Sequence, residues 1–398
     1  MNDSGADRTG GEARAPHAMN DANVAPARLL TARFVIVVTS GLFYFLAVAM
    51  LTPVLPHYVE DSLRHGSVAV GATVLAFSFG AITLRLYAGR IGERYGRRVL
   101  IIGGALIVAS STLAYGAVHS LWWLLALRII TGFGEAGFFV GAATMITDLA
   151  PVERRGEAIS YWSVAVYGGL AFGPAIGDLL RGGARYELTF VVSAMFALVA
   201  AFVGLFTVDP PRDPQEAPRE LIARRAVTPG TVLFLGLIPL AGFGAFMPLY
   251  ASDQLDIRSG PIFLIYGILI LAVRIFGARV PDRLGGRTAG TIALVLAAAG
   301  IGTIAAWQTV AGLVVGTVIL AFGMSLMYPA LFVLALDGVS DAERSSVVAT
   351  ISSFFDASQG LGAFICGAVV AVTANSGAFV TGAIAALIGL LLLRTATS

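Results

Sequence analysis

From Phe34 almost to the C-terminus, apolar residues gather into long runs, each close to the roughly 20 residues that a helix needs to cross a bilayer core. The runs fall at 34–56, 67–88, 99–118, 121–146, 158–180, 188–207, 231–251, 260–280, 288–306, 310–336, 346–372 and 377–393. Twelve transmembrane helices are therefore predicted, and most of their connections are short. One connection differs: between Asp209 and Pro229, four prolines (Pro210, Pro211, Pro214, Pro218) stand among charges and mark a polar linker. The expected organisation is a disordered tail over 1–33, a six-helix bundle over 34–208, a linker over 209–229 and a second six-helix bundle over 230–398. The tail is rich in Gly, Ala, Asn, Asp and Arg and has no apolar segment that a cleavable signal peptide would need.

Composition agrees with this pattern: 57% of residues are hydrophobic and 13% charged, with a mean hydropathy of +0.84, where a soluble domain carries about 25% charged residues. The lipid bilayer is the expected solvent for most of the surface. A net charge of +2 gives no reason to expect a nucleic-acid partner. All 26 basic residues are Arg, and their placement is more informative than their sum. The tails and the loops after even-numbered runs hold 19 of them, the opposite side holds only Arg64, Arg181, Arg185 and Arg258, and Arg85, Arg128 and Arg274 lie within runs. Basic residues near helix ends stay on the cytoplasmic side, which predicts both termini in the cytoplasm and a multi-pass protein of the inner (plasma) membrane. Cys366 is the only cysteine, so no internal disulfide can form, and no metal site or cofactor is expected.

The two sets of six runs echo one another. After the second run stand Arg85, Gly89, Arg90, Glu93, Arg94, Gly96, Arg97 and Arg98; after the eighth stand Arg274, Arg279, Asp282, Arg283, Gly285 and Arg287. Arg, Arg, acid, Arg, Gly and Arg match in order at an offset of 189 residues. Asp148 with Glu153 and Arg154 recurs as Asp337 with Glu343 and Arg344. Six runs per half and equal orientation make this a parallel repeat.

These residues carry a family resemblance. Gly89, Glu93, Arg94, Gly96, Arg97 and Arg98 are similar to the loop 2-3 signature of the major facilitator superfamily, with Glu93 standing where the family has Asp. Arg128, Gly132, Gly134 and Ala136 resemble its helix 4 signature. Gly169, Gly173, Pro174 and Gly177 resemble the helix 5 motif of its 12-helix drug/proton antiporters, although Asp178 and Ser160 depart from that pattern. The resemblance covers Phe34 to Leu393. It implies an all-α membrane protein of twelve helices in two pseudo-repeated bundles, a transporter rather than an enzyme, and a cavity near mid-membrane lined mainly by helices 1, 4, 7 and 10.

Several residues then become candidates. A conformational latch is expected from Gly89, Glu93, Arg94, Gly96, Arg97, Arg98, Asp148, Asp282, Arg283 and Arg287, where arginines meet carboxylates and helix ends; the alternative is that these arginines only set topology. The helix 5 glycines allow close backbone approach. A charge at mid-membrane costs at least about 2.5 to 3.5 kcal/mol, so ionisable residues within runs tend to be functional. Glu135, Asp356 and Arg128 are the proton-coupling candidates, with Arg128 two turns from Glu135 on nearly the same face. The bland readings are a fixed ion pair for Glu135 and an interhelical hydrogen bond for Asp356. Arg85 and Arg274 are expected to snorkel to the interface, and His57, Glu60 and Asp61 to be solvated. Phe43, Tyr44, Tyr167, Phe243, Tyr328 and Gln359 are candidates for the cavity wall.

The leading expectation is a monomeric exporter of small, fairly hydrophobic compounds by proton antiport through alternating access. The alternative is uptake, by symport or facilitated diffusion, of a polar metabolite such as a sugar or organic acid. No Gly-x-x-x-x-Gly-Lys nucleotide loop, Ser/His/Asp grouping or His-rich set points to an enzyme or an ATP-driven pump.

Overall fold

The computed structural model of the chain describes residues 29–151, 154–182, 185–209, 223–276, 283–339 and 341–395. Among them are twelve long helices: α1 Ala32–Met50, α2 Ser67–Tyr95, α3 Arg97–Tyr115, α4 Leu121–Leu149, α5 Arg155–Arg181, α6 Tyr186–Gly204, α7 Arg224–Leu255, α8 Gly260–Phe276, α9 Gly286–Ala306, α10 Val310–Leu336, α11 Asp341–Val370 and α12 Ser376–Thr395. Eleven spans are long and apolar enough to cross a membrane, and α8 is a shorter apolar helix of 17 described residues.

Each helix sits on a predicted run, and the differences lie at the ends. α2 continues past residue 88 to Tyr95, α7 begins at Arg224 rather than 231, and α11 begins at Asp341 rather than 346. The added turns carry Arg90, Glu93 and Arg94 in α2, and Arg224 and Arg225 in α7. A helix keeps its backbone hydrogen bonds beyond the hydrocarbon, while hydropathy registers only its apolar part. The expected 209–229 linker is shortened accordingly, because its last six residues belong to α7. Residues 1–28 of the tail, residues 210–222 of the linker, and Asp282 and Arg279 of the second motif lie outside the described residues.

Local chemistry sets several boundaries. Thr31 caps α1 by accepting from the Phe34 amide at 3.3 Å, and Thr309 caps α10 by accepting from Gly312 at 3.1 Å. Pro53 and Pro56 interrupt the first run, which resumes as a short helix, Val54–His57, and a wide π turn, Tyr58–Ser62. A single residue, Gly96, turns the chain from α2 into α3 at φ 104°, and its repeat partner Gly285 opens α9 at φ 76°. Both need the conformational freedom that glycine has and other residues lack.

Within the first six helices α1 packs on α5 and α6, α2 on α4, and α3 on α4 and α6; within the second six α7 packs on α11 and α12, α8 on α10, and α9 on α10 and α12. Every pair has its counterpart, so the sequence repeat is a structural repeat of two bundles. The bundles meet through α2 against α11 and α5 against α8. Small residues permit the tight crossings: a Cβ on Gly132 would stand 2.1 Å from the Phe77 carbonyl oxygen, and one on Gly300 2.4 Å from the Leu320 nitrogen. Trp122, Trp123, Phe202, Phe206, Phe276 and Leu391 are exposed, as fits an apolar perimeter that faces lipid tails and aromatic residues near the headgroups. We refer to the side on which α1 begins as the arginine-rich face.

Candidate transport site between the two bundles

The bundles are closed at the arginine-poor face and part toward the arginine-rich one. At the closed end Ser67 Oγ donates to the Gly367 carbonyl at 3.0 Å, and His57 bridges Pro53 O of its own bundle and Ser252 Oγ of the other, each at 3.0 Å. His57 is buried, which corrects the expectation that it is solvated, and Asp61 accepts from Tyr186. Asp178, at the end of α5, is 2% exposed and receives Ser259 Oγ at 3.2 Å, the Gly260 amide at 3.1 Å and Arg258 Nε at 3.2 Å, all at the start of α8. A carboxylate placed on a helix N-terminus gains both hydrogen bonds and the helix dipole. Moving away from this face, Gly360 meets Ser78 and Gly267 meets Ala171. Deeper still the bundles meet through Arg85 with Asp356 and Arg274 with Tyr167. Beyond them Gly89 is exposed, with nothing within 4 Å of the place a Cβ would take.

The first of those two contacts is the centre of the site. Arg85 Nη2 donates to Glu135 Oε2 at 3.0 Å, and Arg85 Nε lies 2.9 Å from Asp356 Oδ2, close as charges although off the line of a hydrogen bond. The guanidinium also stacks over Phe139, 5.1 Å from its ring centre. All three ionic side chains are largely buried, with 11 to 17% of their surface exposed. Glu135 is the fifteenth residue of α4 and Asp356 is followed by fourteen residues of α11, so each lies roughly 21 Å along its helix from the arginine-poor face.

The expectation that Arg85 snorkels outward is overturned. Cα–Cβ bonds tilt toward a helix N-terminus, and α2 begins at the arginine-poor face, so the Arg85 side chain is launched toward mid-membrane. Two carboxylates meet it there, one from its own bundle and one from the other. Arg274 obeys the same rule on α8: its Nη2 donates to Tyr167 Oη at 2.7 Å, and its guanidinium lies 4.5 Å from the Tyr167 ring centre. The matched arginines have matched partners, because Asp356 and Tyr167 are also 189 residues apart.

Arg128 does not take part. Its Nε donates to the Thr73 carbonyl at 3.1 Å and its guanidinium stacks 4.5 Å over Phe77, which anchors α4 to α2. Glu135 pairs with Arg85 and not with Arg128, since long side chains on α4 lean toward its start and carry Arg128 away from Glu135. Of the expected wall residues, Tyr167, Tyr328 and Gln359 belong to the central region. Tyr328 packs against Phe332 and Phe355 and lies within electrostatic range of Arg85, Asp356 and Tyr167; the buried Gln359 amide nitrogen, one turn from Asp356, has no hydrogen-bond partner. Tyr44 is fully buried, stacked on Phe138 at 3.8 Å. Phe243 is equally buried against Phe263 and Tyr266, and Phe43 leans on Phe196 of α6, so these two serve the bundle interiors.

The latch residues divide as well. Arg97 pairs with Asp148, and the Arg97 and Arg98 amides donate to Asp209 Oδ1 at 3.0 and 3.1 Å, which closes the start of α3 against α4 and the end of α6. Arg98 Nη2 donates to Leu205 O at 2.6 Å, Arg94 stacks over Tyr95, and Arg287 reaches the Arg394 carbonyl at 3.4 Å. These contacts lie within a bundle rather than between bundles, a consequence of the parted arginine-rich face. Glu93 and Arg283 are exposed there. The helix 5 motif also packs inside its own bundle: Cβ atoms on Gly169, Gly173 and Gly177 would meet Phe45, Ala49 and the Met50 carbonyl of α1 at 2.5, 2.6 and 2.0 Å. Pro174 stands within this motif.

Twelve helices in two repeated bundles, with charged groups where the bundles meet, define a polytopic membrane transporter. The chain belongs to the Major Facilitator Superfamily, whose sequence profile matches residues 37–310. It is 28% identical over 327 residues to an uncharacterised transporter of this superfamily from Salmonella typhimurium, across 79% of this chain and 84% of that one. It is 26% identical over 252 residues to multidrug resistance protein 1 of Bacillus subtilis, across 61% of this chain and 63% of that one. The crystal structure of a mutant of the nucleoside transporter NupG superposes with a TM-score of 0.76 at 13% identity, covering 92% of this chain and all of that one. The chain is thus a multi-pass secondary transporter, not an enzyme, and its substrate is a small molecule.

Proposed function

We propose that the chain couples transport of small, largely apolar compounds to protons, with Arg85, Glu135 and Asp356 as the coupling site. The observation that carries this reading is one arginine shared by carboxylates from the two bundles. With both acids ionised, Arg85 ties α2 and α4 to α11. A proton on Asp356 removes the charge that crosses the interface, while Glu135 keeps Arg85 on its own side. Proton occupancy and bundle contact are thereby linked, and that link is the requirement for coupling in an alternating-access cycle.

Export by antiport is supported by the α5 motif, by the likeness to a multidrug resistance protein and by the aromatic surroundings of the cluster: Phe139, Tyr328 and Phe355. Uptake by symport of a polar metabolite is the second reading, and Arg274 favours it as a polar anchor in the same region. The arginine distribution supports cytoplasmic termini in the plasma membrane, and the chain is proposed to act as a monomer.

Purified protein in proteoliposomes with an imposed pH gradient tests the coupling. Glu135→Gln is expected to abolish pH-driven flux and leave substrate exchange measurable; pH-driven flux at the unaltered rate would sink the assignment. The direction in which substrate moves relative to protons then separates antiport from symport.

A further inference from the structure

The two central arginines differ in one respect that bears on the substrate. Arg85 meets two carboxylates. Arg274, its repeat partner, meets none among the described residues: the place of Asp356 is taken by Tyr167, and the place of Glu135 by Met324. Arg274 Nε is buried without a hydrogen-bond partner. A hydroxyl and an aromatic face stabilise a guanidinium only in part, and a half-buried cation without an anion carries a desolvation cost that this contact does not fully offset. Tyrosines gather beside it, since Tyr167 lies within electrostatic range of both Tyr266 and Tyr328. The Tyr167 hydroxyl and the unpaired Arg274 Nε bring donors without an acceptor anion together at one point between the bundles.

We propose that Arg274, with Tyr167 beside it, binds the anionic head of the substrate, and that the transported class is amphiphilic organic anions with one carboxylate-like group on an apolar body. The inference rests on the reading of this region as the transport site but not on which way protons move. It has a consequence for that question. A proton on Glu135 or Asp356 makes the region more positive and draws an anion in, so an anionic substrate favours co-transport over exchange.

The test uses three ligands with one body and three heads: 4-phenylbutyrate, 4-phenylbutanamide and 4-phenylbutylamine. Binding is measured by equilibrium dialysis to the full chain in nanodiscs of neutral phosphatidylcholine, in a chloride-free buffer. Charge-assisted pairing is about twice as strong as a neutral hydrogen bond, so the carboxylate is expected to bind about tenfold tighter than the amide, with the amine weakest. Arg274→Gln is expected to bring carboxylate and amide to equal affinity while the amide still binds, which shows that the variant is folded. Arg274→Lys is expected to keep part of the preference.

Equal binding of the three ligands by the unaltered protein, binding of none, or a preference that survives Arg274→Gln overturns the proposal. So does saturation of the site by added chloride or by phosphatidylglycerol in the disc, which would make it an ion or lipid site. Glu135→Gln separates the two readings. If pH-driven flux is unchanged in that variant while the carboxylate preference persists, the coupling assignment fails and the substrate inference stands.

Discussion

Asp356 and Glu135 are 3.5 Å or less from one guanidinium, and neither acid has another cation within ion-pair reach among the described residues. The three groups stand or fall together. Removing one partner of a buried pair leaves an uncompensated charge and costs about 3–5 kcal/mol, whereas removing opposite charges together can be nearly neutral. Arg85→Gln is therefore expected to lower the thermal midpoint of the purified protein more than Arg85→Gln combined with Asp356→Asn does. A double variant no more stable than the single one would show that the acids do not depend on Arg85. At this scale the candidate acids were legible because a carboxyl inside an apolar run is conspicuous. Their partner was not, because an arginine near a helix end is compatible with two destinations and only the direction of its helix selects between them.

α5 shows how one helix serves two neighbours. Its glycines face α1, where they bring the backbones within a bundle together, and Tyr167, Ala171 and Asp178 face α8 in the other bundle. The sequence predicts close backbone approach at the motif glycines. A glycine spacing states that a close approach occurs, but not with which helix. The departure of Asp178 from the antiporter pattern has its explanation here, since the carboxylate closes the arginine-poor face by holding the first residues of α8. Asp178→Asn keeps the shape and halves the acceptor capacity, so it is expected to open this face more often. The readout is maleimide labelling of Ser252→Cys, the partner of His57 at the same seam, in a Cys366→Ser background. Charged hydrogen bonds of this kind contribute about 1.5–3 kcal/mol, which corresponds to a labelling rate raised roughly tenfold or more. Labelling at the parent rate would show that the clasp does not hold the face shut.

For the whole molecule, the sequence repeat, the matched packing and the matched arginines describe two similar bundles in contact from the arginine-poor face to the central arginines. The twelve helices and the two bundles were readable because apolar length and arginine placement are properties of the chain itself. The state of the molecule was not readable, because it depends on which of two faces is closed, and apolar length and arginine placement are the same in either case. Among the described residues the named contacts between the bundles run from the arginine-poor face as far as Arg85 and Arg274, and the proposed alternating access requires that seam to part. Thr52, just beyond α1, and Gly244 of α7 face one another across that seam, with the Thr52 methyl 4.0 Å from the place of a Cβ on Gly244 and no other atom within that distance. The Thr52 Cβ lies farther from that place than its methyl does, and a direct disulfide needs Cβ atoms roughly 3.5–4.5 Å apart, so Thr52→Cys with Gly244→Cys, again without Cys366, is joined by a short bis-methanethiosulfonate. Cross-linking is expected to reduce transport to the level of protein-free vesicles while ligand binding persists, and dithiothreitol is expected to restore flux. If flux continues with the cross-link complete, the bundles do not rock apart at this seam, and the substrate crosses by a route that leaves Thr52 and Gly244 together.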